Sequence, residues 1–209
     1  MQLTREIISQ AAIEILDTYG LSDMTMRRLA KQLSVAPGAL YWHFPSKQEL
    51  IAELGLILLA PVIYPQLPDS EEKQQLVRRM QTNHPQIAIP LHSATDPLEL
   101  SLRLRSTLLA HRDGAELVLA ALSKPQLRTD LEQAFLSTLD KVASDPALQG
   151  MCAATLVHFA FGAVSHEQAV AQLCKATGES TPNTTDAASV EDQFAQGVKM
   201  IVTGTAALQ

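Results

Sequence analysis

Residues 25–44, Thr-Met-Arg-Arg-Leu-Ala-Lys-Gln-Leu-Ser-Val-Ala-Pro-Gly-Ala-Leu-Tyr-Trp-His-Phe, hold the side chains of this sequence best suited to act together. The chemistry they suit is recognition of duplex DNA. Two short helical stretches meet at a tight turn, where Ala30 allows a close crossing and Leu33, Val35 and Leu40 fill the wedge. The second stretch must lie in a major groove, so its outer face has to be free of carboxylates. Pro37, Gly38, Ala39, Tyr41, Trp42 and His43 meet that requirement. Arg27 and Arg28 can reach a guanine edge or a phosphate, and a bidentate arginine–guanine pair discriminates by about 1–3 kcal/mol. Tyr41 and His43 are placed to donate to phosphates. Lys47 stands at the start of the next helix, where free amides and the positive dipole end attract an anion. The competing reading makes Tyr41, Trp42 and Phe44 core aromatics of a small bundle. Phe44 is expected to be one, packed under the following helix, and the other two are expected to face out.

Elements that would position these residues are legible in the apolar spacing. Ile7, Ile8, Ala11, Ala12, Ile15, Leu16 and Tyr19 form a stripe on a helix over 4–19, capped by Thr4 and ended by Gly20. Thr25 caps a helix over 26–33, and Pro37 opens one over 37–43, which Pro45 stops. Ser46 and Glu49 have capping-box spacing for a fourth helix running to about Ala60. Six prolines then punctuate 61–97, leaving room for one helix from Glu71 to about Thr82. Further helices are predicted over 98–111, 113–123, 125–141, 146–174 and 190–207. A polar loop is expected over 175–189. The fold class is therefore all-α, with a head of residues 1–46 and a larger helical domain over 47–209.

Composition narrows the function classes. With 209 residues, 46% of them hydrophobic, the chain can bury a sizeable core. The net charge of -6 and pI near 5.5 do not look like a nucleic-acid binder. Residues 1–50, however, balance five cations against five anions, so the acidity lies in the remainder. Cys152 and Cys174 are the only cysteines and make neither a zinc site nor a disulfide framework. The apolar run Leu54–Leu67, broken by Pro61 and Pro65, is expected to be too short to span a bilayer. The N-terminus lacks a signal-peptide pattern, and a cytoplasmic protein without a membrane role is expected.

Leu40-Tyr41-Trp42-His43-Phe44, followed by Lys47, resembles the signature of the tetracycline repressor (TetR) family. The resemblance implies DNA contacts at Thr25, Arg27, Pro37, Gly38, Ala39, Tyr41, Trp42, His43 and Lys47. Ser34 departs from it, standing where glycine commonly makes the turn. Similarity continues in residues 108–115 and 158–164, which resemble the family's tetracycline-binding regulatory domains, and more faintly in 184–186. Residues 60–96 lack such similarity and look inserted.

The resemblance implies an effector site at Ile63, Leu100, Leu104, Val118, Ala121, Leu122 and His166. Phe135 and His158 complete the expected set. Magnesium prefers oxygen ligands, which these side chains lack, so neither metal nor other cofactor is expected. An apolar small molecule other than tetracycline suits such a pocket. His158 and His166 lie eight residues apart, too far along a helix to share one ion directly. His111-Arg112-Asp113 has the lettering of a kinase loop, but Val118 stands where that loop needs asparagine, and Asp113 is expected to cap the next helix. No nucleophile–base pair supports an enzyme. The small-residue-rich segments 146–174 and 190–207 are expected to form a homodimer interface. The resulting expectation is a homodimeric repressor that binds a palindromic double-stranded DNA operator and is released by its effector. The alternative is a DNA-binding adaptor without an effector.

Overall fold

The computed structural model describes residues 2–90, 92–178 and 187–208. These residues form α1 (Arg5–Tyr19), α2 (Met26–Gln32), α3 (Pro37–Tyr41), α4 (Lys47–Ile63), a 3-10 turn (Tyr64–Gln66), α5 (Glu71–Asn83), α6 (Pro97–Leu109), α7 (Gly114–Ala121), α8 (Pro125–Leu136), α9 (Pro146–Thr177) and α10 (Ala187–Ala206). Side-chain caps set several starts. Thr4, Thr25 and Ser46 accept from the backbone amides of Ile7, Arg28 and Glu49 at 3.3, 3.2 and 3.2 Å, each supplying a partner to an amide that the helix itself cannot satisfy.

Ile8, Ile15, Leu16, Leu29, Leu40 and Phe44 form the inside of the head and have no exposed surface. Val35 closes the interhelical turn, its amide donating to the Ala30 carbonyl at 3.0 Å. Ser34 takes the left-handed conformation there, with φ of +55°. An L side chain in that region costs about 1–2 kcal/mol, part of which glycine would lose again through its freer unfolded chain. Ser34→Gly is therefore expected to raise the unfolding free energy by about 0.5–1 kcal/mol in urea titrations.

α4 leads from the head into the body and packs on α6, α7 and α8. It continues past Ala60, where the prolines suggested an end, through Pro61 to Ile63. Pro61 forfeits one amide bond in the last turn, while Pro61, Val62 and Ile63 are all buried. By length and composition alone, Lys47–Gln66 and Pro146–Thr177 could each cross a membrane, contrary to the expectation for the first. The apolar window of the first is 61% buried within the protein, so its hydrophobicity already serves the core.

Two other helix ends differ from the sequence reading. α8 stops at Leu136 rather than 141 because the hydroxyls of Ser137 and Thr138 donate to the carbonyls of Ala134 and Phe135. α9 runs three residues beyond Cys174, ending at Gly178 with φ of +72°. The rest of the expected 175–189 loop falls on 179–186, outside the described residues, as does the 184–186 similarity; 187–189 already belong to α10.

Candidate DNA-recognition surface and its support

α3 turns Leu40 inward, fully buried, and Pro37, Gly38 and Tyr41 outward. Trp42 follows with 90% of its surface exposed, and Tyr41 is 47% exposed. α2 presents Arg27 beside them, and an open groove of about 940 Å³ runs between Tyr19, Thr25, Arg27, Lys31, Gln32 and Pro37. Ala39 and His43 are half-buried, and Lys47 lies at the first residue of α4. The groove brings Thr25, Arg27, Arg28 and Pro37 of the expected DNA-facing residues together, with Tyr41 and Trp42 exposed at the end of α3.

Arg28 differs from its neighbour. Its guanidinium sits 2.9 Å from the Asp23 carboxylate and 4.3 Å from the centre of the Tyr19 ring, so it is already engaged. Lys31, Gln32 and Tyr19 line the groove although residue types alone did not single them out. For Lys31 a signal existed: it lies one helical turn beyond Arg27 on the same face. Phe44 is fully buried, as expected, with the Arg5 guanidinium 4.1 Å from its ring centre. Arg5 also donates to the His43 carbonyl at 2.7 Å and pairs with Glu53 at 2.5 Å. It thereby ties α1 to the end of the recognition segment and to α4.

The neutral total charge of the head divides into two sides. Of the five carboxylates in residues 1–50, three make bonds to residues outside that segment. Glu6 accepts from Asn83 at 3.4 Å, Asp17 from the Arg112 amide at 3.2 Å, and Glu49 pairs with Lys124. Arg27 and Lys31 stay exposed at the groove. A segment with no net charge therefore offers a polyanion the exposed cations Arg27 and Lys31, because three of its anions are used as fasteners.

The His111–Arg112–Asp113 turn is one of those fastening points. Asp113 precedes α7 but does not cap it: with φ of +54° its carboxylate points away from the helix start. It accepts instead from the Leu21 amide at 2.8 Å and from the Gln172 side chain. His111 Nδ1 lies 3.1 Å from Asp17, and Arg112 donates to the Thr18 carbonyl at 3.0 Å. Gln168 of α9 holds the turn from behind, donating to the carbonyls of Leu108 and His111 at 3.0 and 2.8 Å. Gly20 is required at the contact, since a Cβ there would stand 2.6 Å from the Asp113 carboxylate and φ is +89°.

The expected effector residues divide. Leu100, Leu104, Val118 and Phe135 have no exposed surface, Ile63 is 3% exposed and Leu122 is half-buried; all six belong to or pack against one apolar cluster. His158 and His166 do not join them: both are exposed on α9. The register of α9 explains this, because Leu156, Val157, Ala160, Phe161 and Val164 take its inner face. Among the described residues no group of three or more His, Cys, Asp or Glu could hold a metal ion.

Comparison with known proteins completes the picture. Residues 8–54 match the family described as "Bacterial regulatory proteins, tetR family". The tetracycline repressor protein class C of Escherichia coli is 27% identical over 206 residues, covering 97% of this chain and 83% of the relative. The crystal structure of Mycobacterium smegmatis BioQ is 31% identical with a TM-score of 0.71, covering 99% of each chain. A BioQ solved with its natural double-stranded DNA operator is 30% identical with a TM-score of 0.68, again over 99% of each chain. The likeness spans head and body alike, and the chain belongs to the TetR family of DNA-binding transcription regulators.

Proposed function

We propose that the chain is a homodimeric repressor whose residues 1–46 bind a palindromic operator and whose residues 47–209 dimerise and sense a small molecule. The observation that carries DNA binding is the face of α3. A tryptophan left 90% exposed beside a half-exposed tyrosine, in a stretch 37–43 without a carboxylate, suits a partner that is not part of this chain. Thr25, Arg27, Pro37, Gly38, Ala39, Tyr41, Trp42, His43 and Lys47 make the contacts, with Arg28 available once Asp23 releases it. Such a protein works in the cytoplasm, with the chromosome.

Dimerisation is supported by α9 and α10. The most apolar window of α9 is only 39% buried, and Met151, Leu173 and Met200 are 58, 62 and 74% exposed. Some of the small residues expected at the interface serve the subunit itself: a Cβ on Gly197 would meet the Phe159 ring at 2.3 Å. Gly162 and Gly204 have open space around them and remain for a partner. A twofold pair places two recognition helices about 34–36 Å apart, one turn of DNA.

The effector is an apolar small molecule admitted among Ile63, Leu100, Leu104, Val118, Leu122 and Phe135. Zero exposure at four of these means that no water-sized space adjoins them, so the ligand needs an expanded core. It releases DNA only by favouring that form over the DNA-bound one. The same closed core favours a second reading, a DNA-binding adaptor with no effector. Ligands that raise the melting temperature while weakening operator binding would decide for the first.

The test of the recognition face is Trp42→Ala with Tyr41→Ala, each titrated against labelled duplexes tiling the DNA beside the protein's own gene. Each is expected to weaken saturable binding at least about tenfold, a loss of roughly 1.4 kcal/mol, with unchanged helical content. Unaltered affinity in both would remove α3 from the interface.

A further inference from the structure

Residues 67–90 leave the body after the 3-10 turn and touch the head, and residues 92–94 stand again at the body, just before α6. The neck is closed by the Ser93 hydroxyl, which donates to the Pro65 carbonyl, and by Gln66, which donates to the Ala94 carbonyl at 3.5 Å. Lys73 reinforces it with bonds to the carbonyls of Pro65 and Leu67 at 3.0 and 2.8 Å. The tip, at the end of α5, lies on α1: Asn83 donates to Glu6 at 3.4 Å and Gln86 to Gln10 at 2.5 Å. Met80, Ile87 and Ile89 are buried there. A segment tied to the body at both ends and to the head at its middle limits how the head can turn.

His84 is at the centre of this tip and is 4% exposed. Its backbone is satisfied, through Met80 at 2.8 Å and Ile87 at 2.9 Å. Its Nδ1 has no hydrogen-bond partner among the described residues, and neither has the buried hydroxyl of Ser9 on α1. A neutral ring tolerates an enclosed lone pair at modest cost; a proton there would add a buried charge and a donor without an acceptor. The carboxylates that act on the ring are Glu6 of α1 and Glu53 of α4. Both are already committed, Glu53 to Arg5 and Glu6 to Asn83, with the charge of Arg79 also acting on Glu6.

We propose that residues 67–90 are an acid-released strap: protonation of His84 lifts the tip from α1 and frees the head. Burial holds the His84 imidazole below its ordinary value of 6.5, outweighing the two carboxylates. Lifting the tip returns the ring to that value. The closed strap therefore keeps its full hold above about pH 6.5 and loses it as pH falls below that, toward and through the depressed value. Freed heads must be ordered again on DNA, so operator affinity falls with the strap. That last consequence alone rests on the operator-binding reading.

Amide hydrogen exchange of the full-length protein without DNA tests the latch, at about pH 7.5 and about pH 5.5, with chemical exchange rates corrected. Protection across 80–89 is expected to fall in the native protein at the lower pH, by at most about tenfold, and to stay level in His84→Leu. His84→Gln serves if the leucine variant does not fold. The same pH response in native and variant protein, or none in either, would overturn the proposal. Anisotropy with the tiled duplexes, run on the native protein and the variant side by side, is the second arm. A strap that opens in a protein binding none of the duplexes would stand while the repressor reading fell. Saturable DNA binding with a pH-insensitive tip would do the reverse.

Discussion

Gly55→Ala is expected to destabilise the protein by about 2–3 kcal/mol and to weaken operator binding, although it adds a single methyl group. An added Cβ at Gly55 would stand 2.2 Å from the Ala121 Cβ and 3.3 Å from Leu127 Cδ2. Neither Cβ has a rotamer that could move aside, so α4 and α7 must separate by more than 1 Å, roughly, before ordinary contact is restored. That contact is the heart of the body, with Leu54, Ile57 and Leu58 of α4 fully buried around it. The helix displaced is also the one that carries the head, so its shift reaches the recognition surface at the far end. For a chain of this size the melting midpoint should fall by roughly 5–10 °C, and operator affinity by at least about tenfold. Urea titration at fixed protein concentration checks the first figure. A change of less than about 0.5 kcal/mol would show that α4 and α7 are not this close.

The second large effect is expected at Arg105. Its guanidinium is buried where α6, α9 and α10 meet, with two bonds to Glu167 at 2.9 and 3.0 Å and one to Glu191 at 3.2 Å. Glu167→Leu leaves a buried cation with one weak partner and should cost about 3 kcal/mol. Glu191→Leu removes a carboxylate that is 62% exposed and should cost less than about 1 kcal/mol. Removing both charges of the main pair is different from removing one, because the charges no longer have to be desolvated. Arg105→Met combined with Glu167→Leu is expected to recover most of the lost stability. Additive losses in the double variant would contradict the assignment of the cost to an unpaired buried charge.

What the sequence revealed and what it hid divide along a physical line. Features written within one turn of helix were readable: the caps at Thr4, Thr25 and Ser46, the inward Leu40 and the outward Tyr41 and Trp42; the third helix, expected to reach 43, ends at Tyr41. Ser34 in a left-handed turn was readable for the same reason. Features that depend on which distant residues meet were not. Asp113 had the spacing of a cap, yet its carboxylate serves Leu21, 92 residues away in sequence. The five anions of residues 1–50 cancelled its cations in any count, and only the fold shows that three of them bond outside that segment. His158 and His166 were drawn into the effector set by similarity and residue type, whereas the register of α9 puts both outside. Pro61 misplaced the end of α4 because local propensity outweighed, on paper, a burial term that only tertiary packing supplies.

Equilibrium binding of the native protein to the duplexes tiling its own gene, followed by anisotropy across a salt series, tests the central claim most directly. The account predicts saturable binding in roughly the nanomolar range on one duplex, resistant to competitor DNA and falling steeply with salt as phosphate contacts are lost. Binding of equal strength to every duplex, at any salt, would contradict it: the face of α3 would then attract DNA without reading it.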